Sequence, residues 1–146
     1  MKKICLSIVM QIITTFTYAQ SLEADKILGV WFSDKKDSKI EIFMSENKYF
    51  GKFVWGNEMF EKDGKTSRKD TENPNPKMRN KDRLGLVFLT NLKYEDGEYI
   101  GGTVYDPRKG RSANAKVKLK GNDKLELRAF IGVSIFGQTY TFTRVK

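Results

Sequence analysis

The sequence predicts an all-β protein, a single antiparallel up-and-down β-barrel of about eight strands. Segments that alternate apolar and polar residues recur along residues 28–146, and turn signals such as Asp96-Gly97 separate them. This spacing is typical of sandwiches and barrels, and no helical period competes with it. We favour a barrel because short turns join most neighbouring segments and because closure removes exposed sheet edges. A β-sandwich is the alternative.

Eight segments fit the strand pattern, each bounded by turn or loop residues. In chain order they are residues 28–32, 39–44, 47–55, 83–92, 99–105, 115–120, 124–131 and 137–145. The first is the apolar run Gly29-Val30-Trp31-Phe32, which ends at charged residues. The second alternates Ile40 and Ile42 with polar neighbours, and a short turn joins it to the third in a hairpin. In the third, straight alternation places four residues on one face, namely Tyr49, Gly51, Phe53 and Trp55.

The later strands are identified in the same way. Asp96-Gly97 favours a two-residue turn with positive φ at both positions, which joins the fourth strand to the fifth. A three-residue loop at 121–123 joins the sixth to the seventh, and this register places Lys118 opposite Glu126. The last strand places Tyr140, Phe142 and Arg144 on one face. We expect that face to point into the barrel.

The N-terminus has the features of a secretory signal peptide. Lys2 and Lys3 precede an uncharged, mainly apolar run, and Thr17-Tyr18-Ala19 places a small residue at each end of a cleavage site. The apolar run is shorter than the roughly 20 residues that span a bilayer. We therefore expect residues 1–19 to be removed and a single domain, residues 20–146, to be exported to the periplasm or the medium, with no transmembrane segment after cleavage.

Composition excludes several kinds of active site. The 146-residue chain has no histidine, and its one cysteine, Cys5, lies in the expected leader. The remaining chain therefore lacks Ser-His-Asp, Cys-His and ordinary zinc sites, so we predict no catalytic residues, no metal and no cofactor. Chemistry based on carboxylate, Tyr or Lys groups stays open as a third hypothesis. Without Lys2 and Lys3 the net charge is +7, which favours anionic envelope components over nucleic acid as partners of an exported protein.

The first and last strands carry a resemblance. Gly29-Val30-Trp31 opens the first strand and Arg144 lies late in the last, which resembles the lipocalin-type (calycin) barrel. In that superfamily the tryptophan packs across one barrel end and the arginine lies over it. The resemblance thus implies that Gly29, Trp31 and Arg144 close the barrel.

A second resemblance covers nearly the whole domain. Its ordered motifs are Gly29-Val30-Trp31, Tyr49-Phe50-Gly51-Lys52, Asp70 with Asn73-Pro74-Asn75-Pro76, Gly101-Gly102, Asp106-Pro107 with Gly110, and Thr139 to Arg144. Together they resemble the secreted bacterial proteins of domain-of-unknown-function family 2147. This resemblance implies a small calycin-like barrel and export, and it implies no established activity.

Two further features suggest sites. The long polar loop, residues 56–82, contains Asn73-Pro74-Asn75-Pro76, whose prolines restrict the backbone, and it is either a lid at the barrel mouth or a solvated connector. Asp63, Asp70 and Glu72 in this loop lack the spacing of a calcium site. Basic residues are concentrated on one hairpin, where an anionic surface could dock; they are Lys116, Lys118, Lys120 and Arg128.

The sequence leaves two main functions open. The first is a barrel that binds a small apolar or amphiphilic molecule, such as a fatty acid or lipid fragment. The residues predicted to contact it are Phe53, Trp55, Tyr99, Tyr105 and Phe142, with Asn73 and Pro74 above the head group. The second is a structural or interaction protein of the envelope with a filled barrel. A cavity inside the barrel would favour the first function.

Overall fold

A computed structural model of the chain describes residues 22–146 and shows a closed barrel of eight strands, each antiparallel to its neighbours. The strands are β1 Gly29–Ser33, β2 Ser38–Ser45, β3 Lys48–Gly56, β4 Val87–Glu95, β5 Glu98–Asp106, β6 Arg111–Lys120, β7 Lys124–Phe130 and β8 Gln138–Arg144. The prediction of an eight-stranded barrel is confirmed and the sandwich is excluded. The expected signal peptide lies outside the described residues. No helix within residues 22–146 is long and apolar enough to cross a membrane.

The observed strand boundaries differ most from the predicted ones at the fourth strand, which begins at Val87 and not at residue 83. Arg83 instead donates its backbone N–H to the carbonyl of Arg68 inside the long loop. This N–H is therefore not available for pairing with a neighbouring strand. The long loop therefore extends over residues 57–86. Short helical turns, which the sequence did not predict, lie at 22–27, within this loop, and at Ser134–Phe136.

The hairpins between β4 and β5 and between β6 and β7 have the predicted geometry. Asp96 and Gly97 both have positive φ, of 49° and 82°, which is the geometry of a tight hairpin between β4 and β5. Lys118 pairs with Glu126 and Lys116 with Arg128 across β6 and β7. The register that the sequence predicted for this hairpin is confirmed.

The barrel closes where β1 pairs with β8, and Trp31 lies directly opposite Arg144 in that register. Inward-facing residues from all eight strands form one apolar core. Its fully buried members include Trp31, Ile40, Leu89, Leu92, Tyr99, Val117 and Leu125. Ile27, from the N-terminal segment, is also fully buried, so this segment completes the core at one barrel end. We call that end the closed end and the opposite one the open end.

Four bulges change which side chains face inward. Val54 is extra in β3, because Ile40 pairs with Phe53 and Lys39 with Trp55. Two residues are extra in β4, namely Phe88 and one between Leu89 and Leu92, and one residue between Tyr99 and Gly102 is extra in β5. Each extra residue reverses the alternation that follows it.

Candidate functional site

Trp31 and Arg144 form the closed end. The Arg144 guanidinium carbon lies 4.1 Å from the centre of the Trp31 ring, and the indole N–H donates to the Ile27 carbonyl at 2.9 Å. Arg144 also donates to the carbonyls of Leu28 (2.9 Å), Asn122 (2.8 Å) and Lys26. Gly29 has φ of +122°, and a β-carbon there would lie 3.3 Å from Arg144. The three residues predicted to close the barrel therefore meet.

Two tyrosines hold the N-terminal segment onto this end. The Tyr99 hydroxyl donates to the Ala24 carbonyl at 2.7 Å, the Tyr49 hydroxyl donates to Asp25 at 2.8 Å, and the two rings pack edge to face. Burial raises the pKa of both phenols well above the usual range. Tyr99 was predicted to contact a ligand, but its ring packs against Tyr49 and its hydroxyl bonds to Ala24 at the closed end.

At the open end, apolar side chains face inward without being fully covered. Phe53 stacks on Phe88 with ring centres 4.1 Å apart. Val104 and Tyr140 also pack against the core from this end, and like Phe53 they are only partly buried. The small side chains of Ala113 and Ala129 lie on the inner face of β6 and β7, since Ala113 pairs with Val104. Phe142, 7% exposed, lies deeper in the core.

The predictions that Trp55 and Tyr105 face inward are wrong, and the bulges are the reason. Trp55 pairs with Lys39, and its ring packs against Phe32 on the outer surface with centres 6.1 Å apart. Tyr105 pairs with exposed Ser112, whereas its neighbour Val104 faces the core.

Tyr105 instead helps to hold the long loop against β5. Its hydroxyl donates to Asp70 at 2.8 Å, and the Asn73 amide donates to the other oxygen of the same carboxylate at 2.6 Å. Asp70 is fully buried, so these two donors replace water around a charge that burial would otherwise penalise. We call Asp70, Asn73 and Tyr105 the loop lock.

Two further contacts extend the loop lock to the turn between β5 and β6. Arg83 donates to the Pro107 carbonyl at 3.2 Å. A β-carbon on Gly110 would overlap the carbonyl oxygen of Glu72, so the two backbones are in direct contact. Asn73 is thus placed beside the barrel, and its neighbour Pro74 is exposed. Their predicted contact with a ligand head group remains a prediction.

The basic hairpin is largely compensated by carboxylates. Glu98 lies 3.3 Å from Lys118 and 4.0 Å from Lys116, and Glu126 lies 3.8 Å from Lys120. Arg128 donates to backbone carbonyls in the loop between β7 and β8. Docking of an anionic surface on this hairpin stays a prediction, and these contacts reduce the positive charge it can offer.

The surface has two depressions. One of about 240 Å³ lies over the basic hairpin. The other, of about 300 Å³, lies at the closed end, where Lys26 of the N-terminal segment and the core-packed side chains of Tyr94, Tyr99 and Leu119 line it. Within residues 22–146, no group of three or more acidic, cysteine or histidine side chains is arranged to hold a metal ion.

The sequence did not identify Phe88 or Tyr140 as site residues. Phe88 enters the core only because it is the extra residue of a bulge, and no local pattern marks that. Tyr140 was assigned to the correct face, and its alignment with Phe142 was the available signal. A second signal was a run without any charge, residues 129–143, whose middle is exposed.

Comparison of the chain with known proteins agrees with this geometry. The chain matches the family described as "Uncharacterized protein conserved in bacteria (DUF2147)" over residues 29–144. Its fold is similar to that of a solved structure described as protein HP1028 from the human pathogen Helicobacter pylori, which belongs to the lipocalin family. The two are 28% identical, the match covers 82% of this chain and 83% of that one, and the TM-score is 0.72. No curated protein matches the chain. Its barrel is lipocalin-like, and the chain belongs to the DUF2147 family.

Proposed function

We propose that this protein is exported and binds the apolar part of a small amphiphile at the open end of its barrel. One observation carries the proposal: Phe53, Val104 and Tyr140 face the interior at that end and remain partly exposed. The N-terminal segment seals the opposite end, so a ligand would enter from the open end. The lipocalin-like fold supports a ligand site there, since small eight-stranded barrels can hold one ligand.

Arg108 is our candidate partner for an anionic head group. It lies on the turn after β5, half exposed, and it pairs with Asp106 at 3.0 Å and with Glu58 at 3.5 Å. The pKa of Arg108 is raised, first by the hydrogen bond to Asp106 and less by the nearby Glu58 and Tyr140. The turn that carries Arg108 joins β5 to β6 at the open end, so a head group whose tail lies beside Val104 would be near the guanidinium.

The length of the buried tail sets the expected affinity. Each buried CH₂ contributes about 0.8 kcal/mol, and micromolar binding requires about 8 kcal/mol. A tail of about ten carbons would reach that value before the losses of ligand entropy. We therefore expect micromolar or weaker binding of medium-length fatty acids.

The decisive experiment compares two variants, one of which places a larger side chain inside the open end of the barrel. Ala113→Leu adds a larger side chain to the inner face of β6, and Ser112→Leu adds the same side chain to its outer face. In displacement titrations of anilinonaphthalene sulfonate by decanoic acid, we expect Ala113→Leu to weaken binding at least tenfold and Ser112→Leu to leave it unchanged. Native mass spectrometry of the purified protein should also show a co-purifying amphiphile.

Equal affinities for the two variants, or no displacement by decanoate, would contradict the proposal. The second function, a structural protein with a filled barrel, would then be favoured. It already has one supporting observation, which is that neither of the two depressions is lined by Phe53, Val104 or Tyr140 at the open end.

Export has a separate test. If residues 1–19 are a signal peptide, the intact mass of protein recovered from the periplasm or medium corresponds to a chain that begins at Gln20. A mass that includes Cys5 would contradict this.

A further inference from the structure

We propose that the loop between β7 and β8 docks the protein onto an anionic lipid surface, a role independent of the ligand site. This loop, residues 131–137, is the apolar tip. Its large side chains point to solvent: Ile131 is 80% exposed, Val133 60%, Ile135 75% and Phe136 82%. Neighbouring exposed apolar residues of this kind mark interaction sites.

The tip has a fixed shape although its side chains are uncovered. Arg128 donates to the carbonyls of Ser134 (2.5 Å) and Ile135 (2.9 Å) and to the Thr139 hydroxyl (2.7 Å). Gly137 packs so closely that a β-carbon there would lie 2.6 Å from the Ala129 carbonyl oxygen. Arg128 thus satisfies the backbone of the tip, which can present Ile135 and Phe136 without loss of internal hydrogen bonds.

Charge selects the partner. Residues 129–143 contain no charged side chain, so the tip itself can enter a lipid interface without desolvating an ion. The ladder between β6 and β7 ends at Asn114 and Phe130, so the start of β6 at Arg111 and the tip lie at the same end of the barrel. Arg111 and the preceding Lys109 are exposed, and neither forms an ion pair within residues 22–146.

An apolar tip flanked by free basic residues matches an interface in which acyl chains lie beneath anionic head groups. The net charge of +7 over residues 20–146 acts in the same direction. A second copy of the chain is a poorer partner, because four side chains on a protruding loop offer far less than the roughly 1,200 Å² of a stable interface.

The experiment measures sedimentation of the protein with vesicles of phosphatidylcholine, with and without phosphatidylglycerol. We expect binding to the anionic vesicles and at least tenfold weaker binding by Phe136→Asp. Leu22→Asp is the matched control, because Leu22 is 72% exposed and belongs to the N-terminal segment at the closed end; it should bind like the wild type. Lys109→Gln with Arg111→Gln should lower binding to anionic vesicles about fivefold for each charge removed.

Three outcomes would overturn the proposal. They are equal binding by Phe136→Asp and the wild type, equal binding to neutral and anionic vesicles, and a concentration-dependent dimer that Phe136→Asp abolishes. Unchanged thermal unfolding of Phe136→Asp would show that the tip, and not the fold, was altered. Ala113→Leu should keep vesicle binding, so failure of the ligand site and failure of the tip give different results.

Discussion

The two ends of the barrel use aromatic residues in opposite ways. At the closed end Trp31 and Tyr99 are buried, and their polar atoms donate to backbone carbonyls of the N-terminal segment. At the open end Phe53 and Tyr140 are partly exposed, and Phe136 on the apolar tip is almost fully exposed. Full burial and satisfied polar atoms stabilise a fold, whereas exposed apolar groups would gain free energy if a binding partner buried them. We infer that the closed end maintains the barrel and the open end is available for binding.

The largest effect should come from the closed end. Trp31→Ala removes the side chain that packs beneath Arg144, and we expect it to lower the free energy of unfolding by about 3–5 kcal/mol. Chemical denaturation of the purified domain measures this. Phe136→Ala is the matched aromatic truncation at the open end and should change stability by less than about 0.5 kcal/mol. Similar losses for both would remove the distinction between the ends.

A double-mutant cycle tests the contact itself. Because the guanidinium lies over the indole ring, the combined loss in Trp31→Ala with Arg144→Ala should be smaller than the sum of the single losses. Additive losses would mean that the two side chains act independently in solution.

The next effect concerns the loop lock beside the open end. Asp70→Ala leaves Tyr105 and Asn73 without their shared acceptor, and we expect a loss of about 1–3 kcal/mol together with faster tryptic cleavage within residues 57–86. Asp82→Ala is the control, since within residues 22–146 the Asp82 side chain pairs only with Lys69, in an exposed ion pair. Equal cleavage of both variants would show that Asp70 does not hold the loop.

A smaller effect should appear at alkaline pH. Burial, followed by the hydrogen bond to Asp70, raises the pKa of Tyr105 to about 12. The neutral hydroxyl therefore stabilises the folded state fully below the ordinary tyrosine pKa of about 10, and this contribution is lost as the pH rises to about 12. The stability advantage of the wild type over Tyr105→Phe should fall across that interval. An advantage that does not change with pH would contradict the assignment.

The smallest effect lies at acidic pH, at the seam between β1 and β8. A hydrogen bond from Lys124, followed by one from Thr143, lowers the pKa of Asp34. The ionised carboxylate thus contributes stability above its ordinary pKa of about 4, and the contribution disappears as the pH falls through the lowered value. The free energies of unfolding of the wild type and Asp34→Asn can be measured from about pH 3 to about pH 7, a range that spans the ordinary pKa. The two values should converge at the acidic end.

The fold class, the eight strands and the three closing residues, Gly29, Trp31 and Arg144, could be predicted from the sequence. Alternation and turn signals are local, so Asp96-Gly97 and the hairpin at 121–123 could be recognised from their own residues. Pairing of the first and last strands was accessible because strands at the two ends of an up-and-down barrel must pair, and the meeting of Trp31 with Arg144 was implied by the resemblance to calycin barrels. The family resemblance was also accessible, since its motifs occur in one order along the chain.

Which aromatic residues line the open end depends on strand register, which is set by contacts across the whole barrel. A bulge adds one residue to a strand and reverses every following side chain. The bulge in β3 has no sequence signature, and the one in β5 is marked only by the Gly101-Gly102 pair, in which Gly101 has φ of 72°. Val54 in this way turns Trp55 outward, and the extra residue before Gly102 does the same for Tyr105. The pairing of Asp70 with Tyr105 spans 35 positions, and the contacts of Arg128 depend on the path of a neighbouring loop. These interactions arise from packing between segments distant in sequence, which no local period encodes.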